Sequence, residues 1–181
     1  TGGARGIGAA AVRMCAQSGA DVVFNNSRNK DAAAQVAQDA RKHGTRVEPL
    51  KADLGTMKDA KRLVDFTAER LGKIDILVAN AGIWPVEDRP IESLSEKEWD
   101  EMIRVNLKSV YSVTHFAAAR MIAQKSGKII AISSTAGQRG EAFHSHYAAS
   151  KGAIISFVKG LSTELARHGI PLRRSTLQPS E

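Results

Sequence analysis

The sequence lacks several features that define specialised classes of protein. Among its 181 residues there is one cysteine, Cys15, so an internal disulfide is excluded. No stretch approaches the roughly 18 consecutive apolar residues of a membrane helix, and the first residues lack the apolar core of a secretory signal. These absences predict a cytoplasmic protein that does not bind a membrane.

The sequence also lacks any tract of one charge sign. Lysine and arginine number 26 against 19 acidic residues, which gives a formal charge of +7 and a pI of about 9.8. Because the cations are scattered among carboxylates, the charge favours anionic ligands but does not predict a nucleic-acid partner. No metal site is predicted either.

Strand-like and helix-like segments alternate along the whole chain. The apolar runs of four candidate strands cover 21–25, 46–51, 74–80 and 128–133. Helical patterns cover 6–18, 30–43, 57–71, 99–124 and 145–167, several of them ending at a glycine. This alternation predicts an α/β fold, a Rossmann-type doubly wound parallel sheet with helices on both faces. Pro49 places the second strand at a sheet edge.

With no repeat, low-complexity tract or linker, residues 1–181 are expected to form one partial Rossmann-type domain. Thr1 and Gly2 already occupy the turn that should follow a first strand, and no strand precedes them. In a doubly wound sheet that strand is central. We therefore expect this chain to be a fragment.

A glycine-rich turn opens the chain, with the sequence TGGARGIG over residues 1–8. Such glycines let backbone N–H groups approach a phosphate, and the helix that follows points its positive end at the same place. Alone, the octamer could be an ordinary glycine-rich turn that binds no ligand. Because an apolar helix and the 21–25 strand follow it, we predict a dinucleotide site. Its expected contacts here are Gly2, Arg5, Gly6, Ile7 and Gly8.

NADP(H) is predicted in preference to NAD(H). NAD-binding proteins place an acidic residue on the ribose 2′-hydroxyl at the end of the next strand, whereas this chain reads Asn25-Asn26-Ser27-Arg28. Arg5, Ser27 and Arg28 would accept a 2′-phosphate that a carboxylate would repel. The alternative is that both arginines are only solvated.

A proton-transfer site is predicted around Tyr147 and Lys151, which are four residues apart and so lie on one face of a helix. A nearby ammonium would lower the pKa of the phenol. Ser134 follows the preceding strand at the carboxyl end, where parallel-sheet enzymes place their chemistry. Its hydroxyl would bind the same carbonyl oxygen. Ser133 is a rival that would more naturally bond to backbone.

Four motifs, in this order and spacing, resemble the short-chain dehydrogenase/reductase family. They are the Thr1–Gly8 turn, Asn80-Ala81-Gly82, Ser134 with Gly137, and Tyr147 with Lys151. The 13-residue interval from Ser134 to Tyr147 is that of bacterial 3-oxoacyl-(acyl carrier protein) reductases.

The resemblance implies roles for individual residues. Tyr147 would protonate the substrate oxygen, Ser134 would orient it, and Lys151 would bind the nicotinamide ribose. Asn106 would hold a water that links Lys151 to solvent. The resemblance assigns further cofactor contacts to Asp53, on the adenine, and to Leu54, Asn80, Ala81 and Gly82.

The resemblance also implies NADPH-dependent reduction of a carbonyl, with a 3-oxoacyl thioester linked to an acyl carrier protein as the leading substrate, and a homotetramer or homodimer. Alternatives are a sugar or polyol dehydrogenase, a broad-specificity ketone reductase, or a non-catalytic NADP-binding regulator or inactive fragment. The likeness is expected to end near Ile170, because the residues that follow depart from the family pattern. The resemblance further implies that the substrate-covering helices and the last strand, which the family places beyond this point, are missing from this chain.

Overall fold

The structure is a computed structural model, and it describes residues 1–177. The five strands are β1 Val22–Asn26, β2 Val47–Lys51, β3 Ile76–Ala79, β4 Lys128–Ser134 and β5 Leu172–Leu177. Every pair is parallel: β1 with β2, β3 with β4, and β4 with β5. The prediction of a parallel α/β fold is confirmed.

Helices connect the strands as the sequence pattern predicts. They are α1 Gly6–Gln17, α2 Lys30–Arg41, α3 Met57–Leu71, α4 Glu96–Met102, α5 Ser109–Gln124, α6 Ala136–Arg139 and α7 Ser145–Ala166. α3 has the predicted bounds, whereas α4 begins three residues before the predicted start at Trp99. A capping box explains the earlier start, since the Ser95 and Glu98 side chains each bond to the other residue's backbone N–H. No helix of residues 1–177 is long and apolar enough to cross a bilayer.

The strands form two sheets, β1–β2 and β3–β4–β5. Thr1 to Gly3 run between them at the carboxyl ends of β1 and β3. The Gly3 amide donates to the Asn25 carbonyl at 3.0 Å, and the Thr1 amino group donates to the Val78 carbonyl at 2.6 Å. The glycine turn is thereby held against both sheets.

Two apolar clusters hold the helices on the strands. One lies between α1, α2 and Phe24 of β1, and the other joins β3 and β4 to α3, α5 and α7. Val23 of β1 and Leu50 of β2 pack against this second cluster as well. Helices therefore cover the strands on more than one side, and β2, with Pro49, pairs only with β1 among the described residues.

β5 is a strand that the sequence analysis did not predict. Leu172–Leu177 pairs in parallel with β4 over six residues, and Leu172 is buried. Its sequence, LRRSTL, was not recognised as a strand because two arginines interrupt the apolar pattern. Pairing with β4, rather than local propensity, determines this strand.

The helix that carries Asn106 is interrupted by a π-helical segment. α4 and α5 are continuous through Ile103–Lys108, in which the backbone winds more loosely than in an α-helix. Asn106 is fully buried in this segment. Such segments occur frequently at functional sites, and this one presents a polar side chain to the interior.

Candidate active site

At two positions of the glycine turn there is no room for any side chain larger than the hydrogen of glycine. A side-chain carbon added at Gly8 would lie 2.1 Å from the Gly2 carbonyl oxygen, and one added at Gly3 would lie 2.5 Å from the Phe24 ring. Gly2 has a φ of +68°, which favours glycine. The turn is therefore as tight as a phosphate-binding backbone requires.

The amino end of α1 is free to bind an anion. Arg5, the residue before the first turn, has an extended backbone and makes no side-chain cap, and the first turn contains no acidic residue. Among residues 1–177, then, no side chain caps the first N–H groups of this 12-residue helix. These unbonded donors and the positive end of the helix fit a cofactor pyrophosphate.

Two asparagines hold the glycine turn in place. Asn25, buried at the end of β1, accepts a hydrogen bond from the Gly2 amide at 2.9 Å and donates to the Ala52 carbonyl at 3.0 Å. Asn80 donates to the Thr1 carbonyl at 2.8 Å. The Thr1 hydroxyl in turn accepts from the amides of Asn80 and Ala81, at 2.9 and 2.8 Å.

The Asn80–Gly82 segment lies between the glycine turn and Lys151. A side-chain carbon at Gly2 would be 3.0 Å from the Ala81 Cα, and one at Gly82 would be 3.4 Å from Lys151 Nζ. These three residues therefore lie between the glycine turn and Lys151. The structure brings the glycine turn close to the Tyr147–Lys151 pair, although the two motifs are far apart in the sequence.

Ser134 and Ser133 make different hydrogen bonds, and the substrate-binding role of Ser134 stays a prediction. The Ser133 hydroxyl donates to the Lys151 carbonyl at 2.8 Å and is therefore occupied by the backbone. The Ser134 hydroxyl accepts from the Ala136 amide at 3.2 Å, which leaves its proton for another acceptor. Gly137 permits this arrangement, because a side-chain carbon there would lie 2.6 Å from the carbonyl carbon of Lys151.

The phenol of Tyr147 is protonated at neutral pH. Burial raises the pKa of Tyr147, and Glu141 adds to the rise, while hydrogen bonding to Ser134 opposes it. The predicted lowering by Lys151 is not what the structure shows: Lys151 Nζ lies 5.9 Å from the centroid of the tyrosine ring. Loss of solvation is the largest cause of the raised pKa, and a phenol in this state is ready to donate a proton.

Lys151 is buried in α7, and its ammonium donates to the Ile132 carbonyl at 3.1 Å. Burial lowers the pKa of Lys151 to about 8. The side chain is therefore mostly charged at pH 7, with donor capacity beyond its one bond.

Asn106 ties the loop after β3 to two helices. Its side-chain oxygen accepts from the Ile83 amide at 2.7 Å, and its Nδ2 contacts the Ile83 carbonyl at 3.0 Å and the Ser150 hydroxyl at 3.2 Å. The amide thus holds the backbone beside Gly82 and Lys151. Its predicted water-holding role stays a prediction.

Asp53, the predicted adenine contact, differs from Leu54, another predicted cofactor contact. Asp53 bonds to Arg104 of the π-helical segment at 2.7 Å and to the Gly55 amide at 3.0 Å. Leu54 is 3% exposed and packs in the core, so only its backbone can reach a cofactor. Arg104 was not predicted, because nothing in the local sequence links it to a carboxylate 51 residues earlier.

The residues proposed for the 2′-phosphate lie on the surface. Arg5, Ser27 and Arg28 are exposed, as is Ile7 at the start of α1. Among the described residues no carboxylate pairs with Arg5 or Arg28. The open cleft beside Arg28 nevertheless has mixed charge, since three cations and three carboxylates line it. These are Arg28, Lys97, Arg104, Glu96, Asp100 and Glu101.

Two aromatic residues beside Tyr147 were missed in the sequence. The Trp84 ring meets the Tyr147 ring edge-on at 4.5 Å and stacks on His144 at 4.5 Å. The sequence does place His144 three residues before Tyr147, which could have suggested that it lies near the site. The contact between Trp84 and His144 joins residues 60 positions apart, so no local sequence pattern predicts it.

A glycine turn at a free helix end, joined to a Ser–Tyr–Lys group at the carboxyl end of a parallel strand, defines a nicotinamide-dependent oxidoreductase. The sequence profile of short chain dehydrogenases matches residues 1–179. The chain belongs to the short-chain dehydrogenase/reductase family. The match passes Ile170, so the expectation that the likeness ends there is wrong.

Individual relatives agree with this family. The 3-oxoacyl-(acyl-carrier-protein) reductase FabG of Staphylococcus aureus is 32% identical over 170 residues, which cover 94% of this chain and 68% of that protein. An uncharacterised oxidoreductase of Listeria monocytogenes, Lmo0432, is 34% identical over 180 residues, or 99% of this chain and 71% of the relative.

Solved structures show the same fold. An NAD⁺-bound xylitol dehydrogenase superposes with a TM-score of 0.90 at 25% identity, covering 98% of this chain and 67% of that one. An NADH-dependent reductase complexed with NAD gives a TM-score of 0.89 at 24% identity, covering 98% and 76%.

Proposed function

We propose that this protein reduces a carbonyl to a secondary alcohol with NADPH, reversibly, with Tyr147 as the proton donor. The observation that carries the proposal is the Asn80–Gly82 segment, which bonds to Thr1 of the glycine turn and whose Gly82 faces the ammonium of Lys151, with room for little more than hydrogen between them. A dinucleotide bound at the turn would therefore extend to the Ser–Tyr–Lys group. When bound, the nicotinamide supplies the hydride.

The chain's own residues handle the oxygen and its proton. The Ser134 hydroxyl donates to the substrate oxygen and holds it beside Tyr147. Because its pKa is raised, Tyr147 retains its proton until negative charge develops on that oxygen, and then transfers it. Lys151 holds the cofactor ribose and stabilises the phenolate that the transfer leaves behind.

NADPH is proposed over NADH because Arg5 and Arg28 are exposed near the end of β1 and the glycine turn, where no acidic residue follows Asn26. Buried Asn26 contributes a side-chain nitrogen that has no hydrogen-bond acceptor among residues 1–177. Such a donor beside Ser27 and Arg28 suits an oxygen-rich ligand group.

The leading substrate is a 3-oxoacyl thioester, by similarity to the reductase relatives. The net charge of +7 would steer an acidic carrier protein toward the site. A sugar or polyol is the alternative substrate, because a xylitol dehydrogenase has the same fold. A cytoplasmic location and a homotetramer or homodimer stay predictions.

The test is NADPH oxidation by the full-length protein, with an acetoacetyl thioester, a simple ketone and a polyol compared in both directions. We expect turnover with the thioester or ketone and little with the polyol. Tight NADPH binding without turnover of any substrate would support the non-catalytic regulator instead. Faster oxidation of the polyol than reduction of the ketone would favour the sugar dehydrogenase.

A further inference from the structure

Two loops on the substrate side of Tyr147 are tied together by His144. The first loop is residues 83–94, and the second is residues 140–144. The His144 side chain is 7% exposed, and its Nε2 lies 3.3 Å from the Pro85 carbonyl, while its Nδ1 lies 3.1 Å from the Ala142 carbonyl. A second bond joins the loops, from the Arg89 amide to the Phe143 carbonyl at 3.0 Å.

The same imidazole supports the indole that touches Tyr147. His144 and Trp84 stack with their planes 17° apart and their centroids 4.5 Å apart, whereas Trp84 meets Tyr147 at 78° and the same distance. His144 therefore holds the Trp84–Pro85 dipeptide by both its ring face and its edge. Since Trp84 remains 43% exposed, part of the indole is available to a ligand at Tyr147.

Backbone strain accompanies this arrangement. Phe143, immediately before His144, has a φ of +60°, a conformation that side chains other than glycine rarely adopt. Strain of this kind persists where surrounding contacts impose it and is common at ligand-binding sites. The contacts that impose it here are those of His144 and the Arg89 amide.

Both ring nitrogens of His144 face carbonyl oxygens, one in each loop. Whichever nitrogen carries the proton, its N–H donates to one of the two loops. The Asp88 carboxylate lies 3.8 Å from Nδ1, on the side of the ring that faces the Ala142 carbonyl.

We propose that His144 is a positioning residue that holds Trp84 against Tyr147 as a specificity-determining wall for apolar, planar carbonyl substituents. The inference rests on the proposed reductase function for its kinetic part. Its structural part concerns the histidine–indole contact and can be measured without any substrate or cofactor.

The structural part is tested by tryptophan fluorescence in the full-length protein carrying Trp99→Phe, so that Trp84 is the one reporter among residues 1–181. The His144 ring covers one face of the indole and so limits its access to acrylamide, a collisional quencher. His144→Gln can still donate to a carbonyl but has no ring to stack, so we expect it to raise the acrylamide quenching constant about twofold by uncovering that face. His43→Asn, at an exposed site, should leave the quenching constant unchanged.

The kinetic part compares acetophenone with acetone. Trp84→Ala and His144→Phe should raise the KM for acetophenone about threefold to tenfold, the worth of one aromatic contact, and change that for acetone less. kcat and NADPH affinity should stay within about twofold, and His144→Gln should restore most of the acetophenone KM.

An acrylamide quenching constant that is unchanged in His144→Gln overturns the proposal, as does an acetophenone KM unchanged in both Trp84→Ala and His144→Phe. If the His144→Phe protein does not fold, Trp84→Ala and His144→Gln decide the same two questions. A protein that binds NADPH but reduces neither ketone refutes the proposed function, whereas acrylamide quenching of Trp84 still decides the contact.

Discussion

The cofactor side of this site is formed mainly by backbone groups, whereas the substrate side is formed by aromatic side chains. On the cofactor side, the backbone of residues 1–8 is held by the amide side chains of Asn25 and Asn80, with glycines where any side chain would clash. On the substrate side, aromatic side chains of two loops stack on one another beside Tyr147.

The cofactor side provides what the reaction of every substrate requires, whereas the substrate side determines which substrates fit. Backbone donors recognise a phosphate whatever the carbonyl is, and they tolerate little change because they are close-packed. Side-chain rings set shape and can be exchanged one at a time. Substitutions on the cofactor side should therefore impair all reactions, and those on the substrate side should alter preference.

The largest effect is expected where the two sides meet, at Tyr147. Tyr147→Phe removes the proton donor and should lower kcat by about 10²- to 10⁴-fold, the usual worth of a general acid, while NADPH affinity stays within a few-fold. Turnover followed by NADPH absorbance, with NADPH binding by fluorescence, measures both. Tyr111→Phe, on the exposed face of α5, is the matched control and should be neutral. Equal loss of binding and turnover would make Tyr147 structural.

A glycine substitution tests the cofactor side alone. Gly8→Ala places a methyl carbon against the Gly2 carbonyl, so the turn must open, and we expect NADPH affinity to fall at least about tenfold through lost charge-assisted hydrogen bonds. Gly160→Ala, at an exposed position of α7 with open space around it, should leave affinity unchanged. An unchanged affinity in Gly8→Ala would place the phosphates elsewhere.

Reversing one charge should shift the cofactor preference and leave the substrate side untouched. Arg28→Asp replaces a cation at the end of β1 with a carboxylate that repels a 2′-phosphate. We expect the ratio of kcat/KM for NADPH over NADH to fall about tenfold, consistent with one charged hydrogen bond. Arg41→Asp, on α2, serves as a control. A ratio that does not move in Arg28→Asp would refute the proposed NADPH contact.

The smallest effect, a change of pH profile, concerns Lys151. Because burial lowers its pKa to about 8, Lys151 is charged at pH 7 and loses its proton as the pH rises through about 8. Ketone reduction should therefore decline above pH 8, whereas Tyr147, with its raised pKa, stays protonated there. Lys151→Arg, slower overall, should lose this decline because arginine remains charged. A decline that persists in Lys151→Arg would belong to another group.

Burial of Lys151 also links stability to pH. Its pKa in the folded protein is below the ordinary lysine value, so the unfolded chain binds more protons between the two values. The free energy of unfolding of the cofactor-free protein should consequently rise as the pH increases above about 8.

Sequence patterns predicted the parts of this molecule that depend on local chemistry. The bounds of α3, the position of the glycine turn and the contrast between Ser133 and Ser134 all follow from spacing and residue type. The structure adds what depends on contacts between distant segments: β5 forms because β4 pairs with it, and Asp53 meets Arg104 across 51 residues. The pKa of Tyr147 was expected in the wrong direction because burial cannot be read from a helix spacing.

The most direct test of the central claim follows a labelled hydride. The full-length protein is given a ketone and NADPH deuterated at the transferable position of its nicotinamide, and the alcohol is analysed by mass spectrometry. We expect deuterium on the carbinol carbon of the wild-type product and almost no product from Tyr147→Phe. Alcohol without the label, or equal product from both proteins, would contradict the proposed reaction.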